Sequence, residues 1–335
     1  MRLTKRTAAS AEFETIAQSP AIKSNGSTPS GVSEPVLSAP ASDTNAAAVA
    51  APTATAVARP RSHRLTRPAD DCAREGLLKG KKALVFGVAN DHSIAWGIAK
   101  ALYDQGAEVG FSSMASLIKR RVRPLAASVG STFVEGADVR DDDEIRKVFE
   151  RWHAKEGDLD ILVHAVAYAE REDLDGHFTD ISRAGFHTAF DISVYSLIAM
   201  AREGRPYMKP GSSIMTMTYY AAEKVVPNYN VMGVAKAALE ATTRYLAADL
   251  GPSGIRVNAI SAGPVRTLSA HGIAGFRTMY GAFKEVSPLR SHISIEDVGN
   301  TAVYLASPLS SQTTGEVIYV DGGFNILALP VADEQ

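Results

Sequence analysis

Cysteine is nearly missing: the chain of 335 residues has one, Cys72, so an internal disulfide framework and an all-cysteine metal site are both excluded. That usage is compatible with a reducing compartment. A surplus of charge is missing too. Lys and Arg total 35 against 37 Asp and Glu, a formal net charge of -2, which gives no bias towards nucleic acid or an anionic membrane. No apolar run approaches the ~20 residues that cross a bilayer, and the opening MRLTKRTAAS lacks the apolar core of a secretory leader. Nothing around His164, which closes an apolar run, has metal-ligand spacing, so no metal is expected. A histidine in that place reads as a packed, hydrogen-bonded core residue.

What is present is ordinary globular material, 45% hydrophobic and 21% charged, unevenly distributed. Residues 1–75 are rich in Ala, Ser, Thr and Pro, as in SAPASDTNAAAVAAPTATAVARP, and poor in core-forming side chains; they read as a disordered extension. Arg, Ser and Thr there suit a plastid or other organellar transit peptide, but Glu12, Glu14, Glu34 and Asp43 argue against it. The expected location is the bacterial cytoplasm, with an organelle as the alternative.

Residues 76–335 read as one domain. Short apolar runs at 82–87, 108–112, 131–135, 160–164, 212–218, 255–262 and 316–320 suit buried parallel strands. Helical stretches separate them, including 116–129, 186–200 and one that begins near Tyr229. This alternation predicts an α/β fold, a single doubly wound Rossmann-type domain with a seven-stranded parallel sheet.

The loop after the first strand lacks the G-x-G-x-x-G spacing. It reads G-x-x-x-x-x-S-I-A-x-G, from Gly87 to Gly97, with Ser93 where a middle glycine is usual. Gly87 permits a tight turn, Gly97 close packing, and the helix amino terminus suits a pyrophosphate. Further on, TYYAAEKVVPNYNVMGVAK places Tyr219, Tyr220, Tyr229 and Lys236 together. Seven residues span about two helical turns, so Tyr229 and Lys236 are expected on one face of one helix. A nearby ammonium would ease ionisation of the phenol, which could hydrogen-bond an oxygen that gains negative charge.

GVANDHSIAWGIAKAL, VHAVAY, FDISVYS, PNYNVMGVAKAALEA, GIRVNAISAGPVRT and ISIEDVGN, in this order from about Leu78 to Ile326, resemble the bacterial enoyl-acyl-carrier-protein reductases. These are a divergent branch of the short-chain dehydrogenase/reductases. The parent superfamily places its tyrosine four residues before the lysine; here that position is Met232 and the tyrosine is Tyr229. The displacement suits enoyl reduction, where hydride reaches C3 and charge gathers on the thioester oxygen at C1.

The resemblance implies hydride transfer from NADH to a trans-2-enoyl chain on acyl carrier protein, in fatty acid elongation. Tyr229 would hydrogen-bond the thioester oxygen, Lys236 would hold the nicotinamide ribose, and Tyr219 matches a second active-site tyrosine. Gly87, Ser93 and Ile94 match the pyrophosphate loop, and Asp138 and Val139 the adenine site. Val166 lines the cofactor cleft, and Ala169 matches a substrate contact. Val265, Arg266, Thr267, Leu268 and Ser269 match the segment that meets the carboxamide and phosphates. Met114, after the second strand, neither hydrogen-bonds a ribose nor neutralises a 2′-phosphate. Lys119, Arg120 and Arg121 could face that site or solvent, so NADPH stays open beside NADH. Ala167 stands where the family usually has glycine, which narrows the slot by the nicotinamide.

Two further expectations concern shape. Residues 267–286 mix Gly272, Gly275 and Gly281 with Ile273, Phe276, Met279 and Phe283, and read as a mobile lid on which Arg277 could meet an acidic carrier. The apolar helices 186–200 and 230–248 carry more apolar surface than one sheet face needs, which predicts a homotetramer. The competing readings are a short-chain reductase acting on a carbonyl, which Met232 opposes, and a cofactor-binding sensor without catalysis.

Overall fold

In KALVF every residue after Lys82 is apolar, because both faces of the strand are covered. In β1 (Lys82–Phe86), Ala83 and Val85 join one core, while Leu84 and Phe86 join another on the opposite face. The structure, a computed structural model, describes residues 76–328, all within the unit Pro68–Gln335. The extension expected at 1–75 lies outside the described residues.

β1 is followed by α1 (Ile94–Asp104), β2 (Glu108–Ser113), α2 (Ala115–Leu117), α3 (Arg123–Ser128), β3 (Val134–Gly136), α4 (Asp142–Glu156) and β4 (Leu159–His164). The second half comprises α5 (Arg183–Phe190), α6 (Ser196–Gly204), β5 (Met208–Thr218), α7 (Asn230–Leu250), β6 (Arg256–Ala262), α8 (Phe276–Val286), α9 (Ile295–Ala306) and β7 (Val317–Val320). The seven strands form one sheet in the order β3-β2-β1-β4-β5-β6-β7, and each neighbouring pair is parallel. The order reverses between β1 and β4, which opens a crevice at the carboxyl edge. α1 and α9 help to close one face, and α4, α6 and α7 the other.

α1 and α9 meet backbone to backbone. A Cβ on Gly97 would stand 2.5 Å from the Ile295 carbonyl oxygen, and one on Gly299 would stand 2.6 Å from that of Gly97. The tight packing expected at Gly97 is thereby explained.

Three boundaries differ from expectation. The third strand begins at Val134, because Ser131 turns back with its N–H on the Ala126 carbonyl. The helix expected at 116–129 is interrupted by a π turn, Ile118–Val122, just before Pro124, which offers no N–H to the ladder. The helix expected at 186–200 likewise contains a π turn, Asp191–Tyr195, where the Ser196 hydroxyl donates to the Ile192 carbonyl at 2.7 Å.

Candidate functional site

In a parallel sheet every strand delivers its carboxyl end to the same edge. Gly87 follows β1, Met114 follows β2, Asp138 and Val139 follow β3, Val166 and Ala169 follow β4, Tyr219 follows β5, and residues 265–269 follow β6. The residues singled out in the sequence therefore collect along one rim.

At the crevice between β1 and β4, Gly87 has φ +99°, and a Cβ there would stand 2.1 Å from the Ala165 carbonyl oxygen. Only glycine suits that turn. Ser93 is the extended residue before α1, yet its side chain does not cap the helix; the hydroxyl donates instead to the Asn90 carbonyl at 2.6 Å. No acidic residue stands in the first turn of α1. α4 is finished differently: the Asp141 carboxylate accepts from the N–H groups of Asp143 and Glu144, and Asp142, Asp143 and Glu144 load the first turn. The uncapped, uncharged start of α1 keeps its positive dipole end open, which fits the pyrophosphate of a dinucleotide.

Farther along the rim, Met114 is exposed, and Lys119, Arg120 and Arg121 are also exposed on the π turn. The Asp138 carboxylate is already engaged: Arg140 Nε donates to it at 3.0 and 3.1 Å, and Arg140 Nη2 at 2.5 Å. The guanidinium holds its pKa below the ordinary carboxylate value. An adenine amine would share this carboxylate with Arg140, a neighbour that the sequence reading did not consider. Val139 and Val166 pack against the core.

The tyrosines stand on the other side of the crevice. Tyr219 and Tyr229 meet edge to face, with ring centroids 5.3 Å apart at 79°. Tyr229 is not on the helix with Lys236 but is the residue before it, with φ -124° and ψ 10°. Two asparagines fix its backbone. Asn228, at φ +62°, donates from Nδ2 to the Ala274 carbonyl at 3.0 Å. Asn230 donates to the carbonyls of Asp175 and Gly176 at 3.3 and 3.2 Å.

The expected ease of ionisation is reversed. Burial raises the Tyr229 phenol above its ordinary range, and Tyr219 acts in the same direction. Burial also pushes Tyr219 up to about 12, helped by the Asp321 carboxylate. Lys236 is buried and directs its ammonium to the Met217 carbonyl at 2.7 Å. Burial lowers its pKa to about 8, against the opposing pull of Glu240. Desolvation by neighbouring chain thus outweighs any help that the ammonium gives the phenol.

Glu240, one turn beyond Lys236, was missed in the sequence. Its carboxylate is mostly buried and accepts from Thr218 Oγ1 at 2.8 Å; burial raises its pKa. The four-residue spacing from Lys236 was the available signal.

Tyr229 packs against a small apolar cluster. Val194, Met232 and Ala235 are buried together, with Ala169, Leu174, Phe190, Tyr229 and Ala238 packed against them. Met232 occupies the superfamily's tyrosine position and serves here as core. His164 is a satisfied core residue, as expected: its Nδ1 pairs with Thr216 Oγ1 and its Nε2 with Ser196 Oγ, both at 2.8 Å.

Beyond β6, Val265 is buried, and the Arg266 guanidinium lies 4.5 Å from the centre of the Tyr280 ring. The Thr267 N–H donates to the Val265 carbonyl at 2.9 Å, and Thr267 Oγ1 accepts from the Ala270 N–H at 3.2 Å. Leu268 is exposed, and Ser269 begins a 3₁₀ turn. α8 then reaches the tyrosines through Met279, whose sulfur accepts from the Tyr219 hydroxyl at 3.6 Å. Among the described residues no cluster of His, Cys, Asp and Glu could hold a metal ion, and no helix is long and apolar enough to cross a membrane.

Comparison with known proteins gives one consistent result. The family described as "Enoyl-(Acyl carrier protein) reductase" matches residues 87–325. Enoyl-[acyl-carrier-protein] reductase [NADH] 1 of Rhizobium meliloti (strain 1021) is 50% identical over 258 residues, covering 77% of this chain and 95% of the relative. Its counterpart from Aquifex aeolicus is 49% identical over 261 residues, covering 78% and 97%. The crystal structure of the Bacillus cereus enoyl-acyl carrier protein reductase, with NADP+ and indole naphthyridinone, is similar at TM-score 0.74 and 48% identity, covering 76% of this chain and 100% of that one. The Anaplasma phagocytophilum enzyme, in complex with NAD, gives TM-score 0.74 at 47% identity, covering 77% and 98%.

Proposed function

The chain belongs to the enoyl-(acyl carrier protein) reductase family, and on that premise we propose that it reduces the C2=C3 bond of trans-2-enoyl-acyl carrier protein with NADH in fatty acid elongation. The observation that carries this reading is the placement of Tyr229. It stands ahead of the helix, against a small apolar cluster, while the usual tyrosine position is filled by buried Met232. A carbonyl reductase would need the phenol at Met232, so the runner-up reading loses its central group.

When bound, NADH supplies the hydride for C3 of the enoyl thioester. The chain's own residues do the rest. The backbone around Gly87, Ser93 and Ile94 would receive the pyrophosphate, with Asp138 and Val139 at the adenine and Met114 near its ribose. Val166 and residues 265–269 would flank the nicotinamide end, and Lys236 would hold its ribose. Tyr229, kept protonated by burial, would donate a hydrogen bond to the thioester oxygen as negative charge gathers there. It acts as a donor rather than as a phenolate base, which agrees with its raised pKa. Tyr219 would hold the Tyr229 ring edge-on. Ala169 would meet the first part of the acyl chain, under a lid formed by residues 267–286.

The test is the pure full chain with crotonyl-CoA and NADH or NADPH, followed by absorbance of the reduced cofactor. Oxidation of NADH that depends on the thioester is expected; binding of NADH without turnover would leave the sensor reading instead. The same proposal makes the protein a homotetramer in the cytoplasm of a bacterium, or in an organelle if residues 1–75 are a transit peptide, with the domain starting near residue 76. Exposed Ile198, Val234 and Tyr245 on α6 and α7 support self-association, and a monomeric mass by light scattering would end that part of it.

A further inference from the structure

α8 lies across the tyrosines with little to hold it there. Of its eleven residues only Phe283, near its carboxyl end, is buried. The middle of the helix is secured by a stack of side chains built on Tyr280. The Arg266 guanidinium lies 4.5 Å from the centre of the Tyr280 ring, and the His292 imidazole lies 3.9 Å from it at 9°. Tyr280 is thus contacted by a guanidinium and an imidazole at once. Each comes from a different segment: Arg266 from the turn after β6, Tyr280 from α8, and His292 from the loop leading to α9.

The chemistry suits a latch. A guanidinium is attracted to the electron-rich face of a phenol ring, and a flat aromatic neighbour packs well against such a ring. His292 Nδ1 is buried without a hydrogen-bond partner. Burial, then the charges of Lys284 and Arg266, hold its pKa below the ordinary value, against Glu285. The imidazole is therefore neutral near pH 7 and adds no second cation beside Arg266.

We propose that Tyr280, held by Arg266 and His292, is a positioning residue that latches α8 over Tyr219 and Tyr229 and so sets how firmly the acyl thioester is held. The link to the thioester rests on the reading of the preceding subsection; the latch itself does not.

Tyr280→Leu keeps bulk and removes the flat ring, whereas Tyr280→Phe keeps the ring. Amide hydrogen exchange over residues 276–286 in the cofactor-free full chain reads the latch directly. Steady-state kinetics with crotonyl-CoA and NADH read its effect. In Tyr280→Leu, exchange over 276–286 should quicken roughly tenfold, and KM for the thioester should rise roughly five- to twentyfold with kcat changed about twofold or less. Tyr280→Phe should match the wild type in both. Unchanged exchange in Tyr280→Leu would overturn the latch, and so would an equal loss in Tyr280→Phe. If Tyr280→Leu fails to fold, His292→Ala, which removes the stacked imidazole, carries the same test. A wild type inactive on crotonyl-CoA whose Tyr280→Leu variant still exchanges faster would overturn the proposed reaction and leave the latch standing.

Discussion

His164 and Tyr229 are both polar rings set among apolar neighbours, and they are treated in opposite ways. Both ring nitrogens of His164 are occupied by hydroxyls of its own chain, Thr216 and Ser196. The Tyr229 hydroxyl has no hydrogen bond among the described residues. β5 supplies both regions in succession. Thr216 serves the histidine, the Met217 carbonyl takes Lys236, and Thr218 takes Glu240. A buried polar group that the fold satisfies belongs to the architecture. The half-buried Tyr229, its backbone fixed by flanking asparagines and its hydroxyl without a partner, is free to bond an atom that the chain does not own.

The sharpest way to break this contrast is Tyr229→Phe. If the hydroxyl waits for the thioester oxygen, its removal should lower kcat by roughly 10- to 1000-fold and leave the melting temperature near that of the wild type, because no internal bond is lost. Full activity in this variant on crotonyl-CoA would refute the assignment. His164→Leu should do the reverse. It leaves the Thr216 hydroxyl without its partner in the core, so unfolding free energy should drop by about 1–3 kcal/mol while kcat of the folded protein changes little. Denaturant titration beside the enoyl assay separates the two; a kcat loss without destabilisation would move His164 into the active site.

The smallest effect concerns Lys236, which belongs to both regions: bonded to the main chain, yet facing the crevice. Its folded pKa of about 8 lies below the ordinary 10.5, so the side chain is an ammonium below pH 8 and a neutral amine above. KM for NADH should therefore climb as pH rises through about 8, by roughly tenfold or less, since a neutral amine makes weaker hydrogen bonds. A flat KM across that range would mean that its charge has no part in holding the cofactor.

Much of this was legible beforehand. Strands covered on both faces are largely apolar, so the parallel sheet and its alternation with helices follow from the sequence. The displaced tyrosine marks the branch because the distance from Tyr229 to Lys236 is a property of the chain itself. What stayed hidden depends on groups that leave no trace in residue type. The Met217 carbonyl that receives Lys236 could belong to any residue. The π turns at 118–122 and 191–195 alter hydrogen bonding without altering the apolar pattern. Arg266, Tyr280 and His292 come together only through folding, and the effect of burial on Tyr229 depends on neighbours from other elements. That is why the sequence suggested an easily ionised phenol where the structure has the contrary.

The crossing of α1 and α9 carries a consequence at the level of the gene. Gly97 and Gly299 face main-chain atoms at less than 3 Å from where a Cβ would stand, so what obstructs even alanine there is largely backbone. A neighbouring side chain could shrink to make room; a carbonyl cannot. Every glycine codon is read by its first two letters, and a change in either one installs a side chain or a stop. Each single-letter departure at these positions thus wedges the two helices apart, and no second mutation in a facing side chain can restore the fit. Drift at this crossing is confined to the silent third letter of both codons.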